Sequence, residues 1–261
     1  MTEKRALITG AGKRLGRAMA LTLAEQGYDV AVHYAGSEDA AEEVAGLIRT
    51  MGCRAETVQA DLLEEHAVQG VVGRAATALG GPLTVLVNNA SIFENDDFAS
   101  ATRDSWDRAI GSNLRAPFVL TQRFAEQVPD PLRDARGEPV AQGLVVNMID
   151  QRVRKLTPDF ASYTIAKAGL WTLTQTAAQG LAPRVRVNGI GPGPTLQGSR
   201  QSPEDFAAQR AACVLERGAD PEDISAALVY LLAAKAVTGQ LLCIDGGQHL
   251  AWQTPDVAGS E

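Results

Sequence analysis

Tyr163 and Lys167 stand four positions apart at the start of an apolar stretch with helical periodicity. That spacing puts both side chains on one helix face. A phenol ordinarily titrates near pH 10. An ammonium ~5 Å away, at an effective dielectric of ~20, favours the phenolate by roughly 3 kcal/mol before desolvation, or about two pKa units. The pair therefore has the makings of a tyrosine proton donor matched to working pH. Asp150 stands thirteen positions earlier, in Asn147-Met148-Ile149-Asp150. An ionised carboxylate accepts hydrogen bonds only, so it suits amino and ring N–H groups rather than a ketone oxygen. Standing alone, the Tyr-x-x-x-Lys spacing is common and a solvated helix face is its better explanation.

It does not stand alone. The first strand-like run ends in Thr9-Gly10-Ala11-Gly12-Lys13-Arg14-Leu15-Gly16 and passes directly into a helical pattern. Glycines there let the backbone turn sharply and approach a pyrophosphate at a helix N-terminus, where free N–H groups and the helix dipole attract anions. The position of the turn, between a first strand and a first helix, makes it a dinucleotide-binding signal. The second strand ends in Val32-His33-Tyr34-Ala35-Gly36-Ser37, with no carboxylate before Glu38. A ribose 2′-phosphate is not repelled at such a corner, and His33, Ser37 and Arg14 are candidates to hydrogen-bond to it.

The elements that must hold these residues alternate along the whole chain. Strand-like runs fall at 5–9, 28–34, 54–59, 83–88, 143–149, 184–190 and 240–244, and helical patterns at about 14–27, 38–51, 64–80, 103–127, 160–181 and 221–234. Strands separated by helices pair in parallel through right-handed crossovers, with helices on both faces. The expected fold class is α/β: one Rossmann-type, doubly wound domain over residues 1–250, with a seven-stranded parallel sheet. Two segments break the rhythm. Pro129 to Gly143 reads as an exposed loop. The other, about 191–206, is rich in Pro and Gly at the carboxyl edge of the sheet, where ligands bind; it reads as a substrate loop or mobile lid, or as a plain connector. The polar tail, 251–261, is expected to be poorly ordered past Trp252.

Composition excludes several function classes. A net charge of −7 disfavours nucleic acid and anionic membranes as partners. Cys53, Cys213 and Cys243, and His33, His66 and His249, are scattered, so no metal cluster is expected, and a reducing compartment is the simple reading. The chain enters an apolar strand after five residues with no signal peptide before it, and no apolar run approaches the ~20 residues of a membrane span. A cytoplasmic protein is expected.

In order and separation, these motifs resemble the short-chain dehydrogenase/reductase family over nearly the whole chain. Thr9 to Gly16 is similar to that family's glycine turn, with Arg14 in place of the middle glycine. The resemblance implies that Asp61-Leu62 contacts the adenine, although Asp61 also suits a plain N-cap. It likens Asn88-Asn89-Ala90-Ser91 to the family's Asn-Asn-Ala-Gly signature. It assigns Asn113 to a water-linked proton path to the lysine, against the alternative of a helix-kinking amide. It likens Val187-Asn188-Gly189-Ile190-Gly191-Pro192-Gly193 to the segment that brackets the nicotinamide, and Asp245-Gly246-Gly247 to the final turn.

Within the family, three features resemble pteridine reductases. Arg14 stands in Lys13-Arg14-Leu15-Gly16. Asp150 replaces the usual catalytic serine. Phe93 occupies the position whose ring sandwiches a flat substrate, or else packs under its loop. The resemblance implies an NADPH-dependent reductase, most readily of a dihydropterin, with catalytic Asp150, Tyr163, Lys167 and Asn113. It implies cofactor contacts from Gly10, Arg14, Leu15, Gly16, His33, Tyr34, Ser37, Asp61, Leu62, Asn89, Ala90, Ser91, Tyr163, Lys167, Pro192 and Gly193. Substrate contacts would come from Arg14, Ser91, Phe93, Asp150 and Tyr163. Family members usually form tetramers, and the apolar faces around 109–125 and 165–178 permit a homotetramer. The alternatives are a carbonyl reductase acting on a ketone, sugar or 3-oxoacyl group, and a non-catalytic dinucleotide sensor, which tends to lose the tyrosine or lysine that this chain keeps.

Overall fold

The computed structural model describes residues 4–198 and 200–252. Seven parallel strands form the sheet: β1 (Arg5–Ile8), β2 (Asp29–Tyr34), β3 (Ala55–Gln59), β4 (Val85–Asn88), β7 (Gly143–Met148), β8 (Val185–Pro192) and β9 (Leu241–Ile244). Their spatial order is β3-β2-β1-β4-β7-β8-β9. The order reverses between β1 and β4, which is the point where a doubly wound sheet opens a crevice at its carboxyl edge. Glycine turn, Asn88–Ser91 segment and Met148–Asp150 all emerge there.

Both faces of the sheet are covered, and the strands show it. In β1, Ala6 and Ile8 face one core while Leu7 faces the other, and all three are fully buried. One layer consists of α1 (Arg14–Glu25), α2 (Glu38–Thr50) and α8 (Pro221–Ala233), whose Met19, Val44, Ile48 and Leu228 pack on Ile8, Val32 and Val146. The opposite layer contains α3 (Glu65–Leu79) and α5 (Ala116–Gln127), with Val71, Val119 and Phe124 against Leu7, Leu86 and Val145. The helix α6 (Ala161–Gly180) lies on that side as well and sends Leu170 into a small cluster with Ile149 and Leu241.

Three departures from the sequence reading have local causes. The helix expected over 103–127 is broken: α4 (Arg103–Ile110) widens into a π turn at Gly111–Arg115 before α5 begins. The segment expected as a plain loop before Gly143 carries a two-residue hairpin, β5 (Leu132–Arg133) against β6 (Pro139–Val140). Its turn is closed by Asp134, whose carboxylate accepts the Arg136 and Glu138 N–H groups. The 191–206 segment ends in a helix, α7 (Pro203–Ala211), started by a Ser202 hydroxyl that accepts the Asp205 N–H, with Pro203 in the first turn. None of the residues of α7 is buried, so it has no apolar stripe to announce it. The polar tail beyond Trp252 lies outside the described residues.

Candidate active site

The glycine turn is shaped by contacts at which no larger side chain fits. Gly10 sits at φ +62°, and a Cβ on Gly16 would lie 2.2 Å from the Gly10 carbonyl oxygen and 2.6 Å from the Asn89 amide nitrogen. Asn89 closes the turn from the end of the neighbouring strand β4: its amide donates to the Thr9 and Gly10 carbonyls at 2.8 and 3.2 Å. Leu15 packs against the core behind it. The first turn of α1 carries no acidic residue, and Lys13 at its N-cap offers no side-chain cap. The free N–H groups of that turn, held by close-packed glycine, fit a dinucleotide pyrophosphate.

His33 does not face the crevice. Its ring is buried, its Nδ1 accepts the Gly10 N–H at 3.1 Å and its Nε2 lies 3.1 Å from the Ala60 carbonyl. Both nitrogens are spent inside the protein, and burial lowers its pKa to about 4. The expectation that His33 binds a 2′-phosphate is therefore corrected: the neutral ring is a bracket between β1, β2 and β3. Ser37 stands at the N-cap of α2 with its hydroxyl unused as a cap, and Glu38 and Asp39 follow in the first turn. Tyr34 ends β2 beside them; desolvation and then the Glu38 carboxylate raise its phenol pKa. Asp61 is not an N-cap: one carboxylate oxygen accepts the Leu63 N–H at 2.9 Å in an Asx turn, and α3 begins only at Glu65. Leu62 is buried beneath it.

On the other side of the crevice, Tyr163, Lys167, Asp150, Ser91, Asn113 and Phe93 come together. The Tyr163 hydroxyl donates to Asp150 Oδ2 at 3.0 Å, and Asp150 Oδ1 accepts the Arg152 N–H at 2.8 Å. Lys167 Nζ donates to the Met148 carbonyl at 2.7 Å and lies 5.5 Å from the Tyr163 ring centroid. Both side chains are buried. The Ser91 hydroxyl donates to Asn113 Oδ1 at 2.7 Å. The Asn113 amide donates to the Ile92 and Ala109 carbonyls at 2.9 and 3.0 Å. Ala109 is one α-turn before Asn113, so this second bond is local, while the one to Ile92 reaches across to another segment. Asn113 thus joins the widened helix to the segment carrying Ser91 and Phe93.

The electrostatics run against the simplest expectation. Tyr163 is pushed well above an ordinary phenol, by burial first and then by the facing Asp150 carboxylate. Burial raises the Asp150 carboxyl, and burial lowers Lys167 to about 8 despite the pull of Asp150. Burial outweighs the pull of the lysine, whose ammonium lies over the tyrosine ring and donates to the Met148 carbonyl. The result is a phenol that keeps its proton, next to two groups shifted toward neutral pH from opposite sides.

A family model described as enoyl-(acyl carrier protein) reductase matches residues 10–249. Over 253 residues the chain is 33% identical to the 3-oxoacyl-(acyl-carrier-protein) reductase FabG of Staphylococcus epidermidis, covering 95% of this chain and 100% of that one. The chain is a short-chain dehydrogenase/reductase. Among solved structures, this short-chain reductase is similar to the FolM alternative dihydrofolate reductase 1 of Brucella suis in complex with NADP, with 42% identity and a TM-score of 0.90 over 97% of this chain and 98% of that one. It is also similar to the angucycline C-6 ketoreductase LanV with bound NADP, at 32% identity and a TM-score of 0.85 over 95% and 96% of the two chains.

Several residues of this short-chain reductase bear on the site without having been singled out by the sequence. Phe160 stacks on Phe93 with ring centroids 4.3 Å apart and planes 2° from parallel, and Phe93 meets Tyr163 edge-on at 4.8 Å. The guanidinium of Arg152 lies 5.1 Å from the Phe160 ring and that of Arg200 6.0 Å from the Phe93 ring, making a four-layer stack at the mouth. Arg200 also donates to the Phe93 carbonyl at 2.7 Å. Arg14, at φ +52°, does not point to a phosphate position alone: its guanidinium donates to the Leu196 and Gln197 carbonyls at 3.0 and 2.9 Å, fastening the glycine turn to the 191–206 segment. Pro192 ends β8, and Gly193 follows with its N–H on the Ile244 carbonyl; a Cβ there would lie 2.6 Å from that of Asp245. The only signals for Phe160 were its aromatic type and its place three residues before Tyr163.

Proposed function

We propose that this chain is an NADPH-dependent reductase of a flat, nitrogen-containing ring, most readily a dihydropterin reduced to the tetrahydro form. The observation that carries it is the 3.0 Å hydrogen bond from Tyr163 to Asp150, in the place where an ordinary member keeps a serine, beside the half-exposed ring of Phe93. The glycine turn, Arg14, Ser37, Tyr34, Asp61, Leu62, Asn89, Ala90, Ser91, Pro192 and Gly193 border the crevice in which the dinucleotide would be held, and the similar structures solved with NADP support that phosphate-bearing form. When bound, the nicotinamide supplies the hydride.

The chain's own residues supply the rest. A planar substrate that stacks on Phe93 takes the place of Arg200 or Phe160 against its ring, and stacking of this kind is worth about 1 kcal/mol beyond burial. Asp150 accepts from amino or ring N–H groups when ionised. With its pKa raised by burial, it also holds a proton with which to replace the one that Tyr163 gives to a ring nitrogen. Tyr163 carries the proton delivered at its hydroxyl, and Lys167, lowered to about 8, changes charge close to working pH and stands behind it. Asn113 and Ser91 fix the wall opposite. Residues up to about 250 work as one domain, with 191–206 as its substrate loop. A cytoplasmic homotetramer is consistent with the half-exposed Trp106, Phe118 and Ile165 on α4 to α6 and with Tyr230 and Leu250 beside β9. Among the described residues, no helix is long and apolar enough to cross a membrane and no cluster suits a metal.

Carbonyl reduction is a second reading, favoured by the FabG and ketoreductase relatives and by the same raised carboxyl, because a protonated Asp150 can donate to a ketone oxygen. One experiment separates them. NADPH oxidation is followed in parallel with dihydrobiopterin, oxidised biopterin, dihydrofolate, a simple ketone and a 3-oxoacyl thioester, for the wild type and for Asp150→Ser. The pterin reading expects turnover of dihydropterins, falling ~10²-fold in the variant, with ketone reduction unchanged or raised. Ketone or thioester turnover exceeding that of every pterin would establish the second reading instead.

A further inference from the structure

The helix that carries Tyr163 and Lys167 does not cap itself. Its N-cap residue, Phe160, is held at φ +58° and contributes no side-chain cap. The first N–H groups of an α-helix have no partner within the helix and need one from outside. Here a single residue 66 positions earlier provides two of them. The Asp96 backbone carbonyl accepts the Ala161 N–H at 3.0 Å, and its carboxylate Oδ1 accepts the Ser162 N–H at 3.0 Å. The other carboxylate oxygen, Oδ2, accepts the Ser105 hydroxyl of α4 at 3.0 Å. Asp96 is buried, at 5% exposure. Although burial opposes ionisation, hydrogen bonds from Ser162 and Ser105 outweigh it and leave the carboxyl pKa below its usual value.

Three elements therefore converge on one buried carboxylate: α6, α4 and the segment that also bears Ser91 and Phe93. Ser162 is the residue immediately before Tyr163. A shift of the first turn of α6 would move the tyrosine hydroxyl relative to Asp150, and a misplacement of ~1 Å can cost ~10²-fold in rate. We infer that Asp96 is a positioning residue for the proton-delivering tyrosine: it sets the depth of Tyr163 in the crevice and locks it to the wall carrying Phe93. Its carboxylate is engaged by Ser162 and Ser105, so it acts through Tyr163 rather than on the reacting atoms. This rests on the reading of Tyr163 as proton donor, but not on which substrate receives the proton.

The test compares Asp96→Ala with Asp96→Asn, which retains an acceptor for the Ser162 N–H. Three quantities are read: kcat and KM on whichever substrate of the panel the wild type reduces best, NADPH affinity by fluorescence, and amide hydrogen exchange without ligand. Asp96→Ala is expected to lower kcat roughly 10- to 100-fold with NADPH affinity within about twofold. Exchange should accelerate over 161–167 but not over β7 or β8. Asp96→Asn should restore at least about half of kcat and the slow exchange. Unchanged kcat and exchange in Asp96→Ala would overturn the inference. So would an Asp96→Asn variant as impaired as the alanine, because charge rather than capping would then be at work. If Asp96→Ala does not fold, Asp96→Asn and Ser105→Ala decide: near-wild-type kcat and exchange in the first, with a fall in kcat and faster 161–167 exchange in the second, support the role, and the reverse order rejects it. Loss of all substrate turnover in the wild type would sink the functional reading, while the exchange data would still judge Asp96.

Discussion

The two sides of the crevice are built on opposite principles. Around the glycine turn, side-chain polar groups are consumed by the protein: His33 spends both ring nitrogens, Asn89 closes on Thr9 and Gly10, and Thr9 itself accepts the Asn89 and Ala90 N–H groups at 2.9 Å. What remains for a ligand is mainly backbone, presented at a helix start. Around Tyr163 the hydrogen-bonded groups are themselves the ionisable ones that face the crevice. The ionisable groups Asp150, Tyr163 and Lys167 are all shifted, and burial is the leading cause each time. The first side is rigid because its polar atoms are matched; the second is reactive because desolvation has brought proton affinities away from their solution values.

The largest expected effect falls on the second side. Tyr163→Phe should lower turnover by ~10³-fold or more while leaving NADPH affinity nearly intact. Affinity falling in step with turnover would mean that the two sides are not separable. On the first side, acid should act on stability instead. The unfolded His33 takes up a proton below about pH 6.5, and the folded ring only below about 4. Between those values the unfolded state binds more protons, so stability declines as pH falls through this window, by up to ~3 kcal/mol. Urea unfolding at several pH values measures that slope, and His33→Asn, less stable at neutral pH, should lose this contribution to it. The smallest effect is expected from Gly16→Ala. Its Cβ would fall 2.2 Å from the Gly10 carbonyl oxygen, so the turn must open, costing ~1–3 kcal/mol in stability and weakening NADPH binding rather than slowing the chemical step. Wild-type NADPH affinity in that variant would show that the turn is looser than its packing indicates.

The same contrast explains what could be read from the sequence. All seven strands of the sheet and the six long helical regions were legible, because burial on both sheet faces imposes apolar runs and each amphipathic helix repeats its stripe. The Tyr163–Lys167 spacing and the place of Asp150 were legible too. The π turn at Gly111–Arg115 was not, since nothing in the local apolar periodicity marks it and its Asn113 bonds to Ile92, far away in sequence. Helix α7 escaped notice although Ser202 and Pro203 are good start signals, because it buries nothing. His33 looked like a phosphate ligand from its position at a strand end, and only the third dimension revealed that its neighbours on β1 and β3 had claimed it. The sign of the tyrosine shift was beyond sequence for a related reason: spacing fixes how near a cation is, while desolvation depends on everything packed around both groups. Asp96 gave no signal at all, as a carboxylate in a loop is usually just solvated.

The placement of β1 between β2 and β4 also governs when the protein becomes competent. Thr9 and Gly10 obtain their Asn89 partner from 80 positions further along the chain. A nascent or refolding chain with only the first two strands paired has the glycines but not the clamp that shapes them. Competence to take up the nucleotide therefore arrives late, as a property of the finished sheet. Nucleotide present during refolding should favour the end state by mass action, without rewarding any half-built precursor.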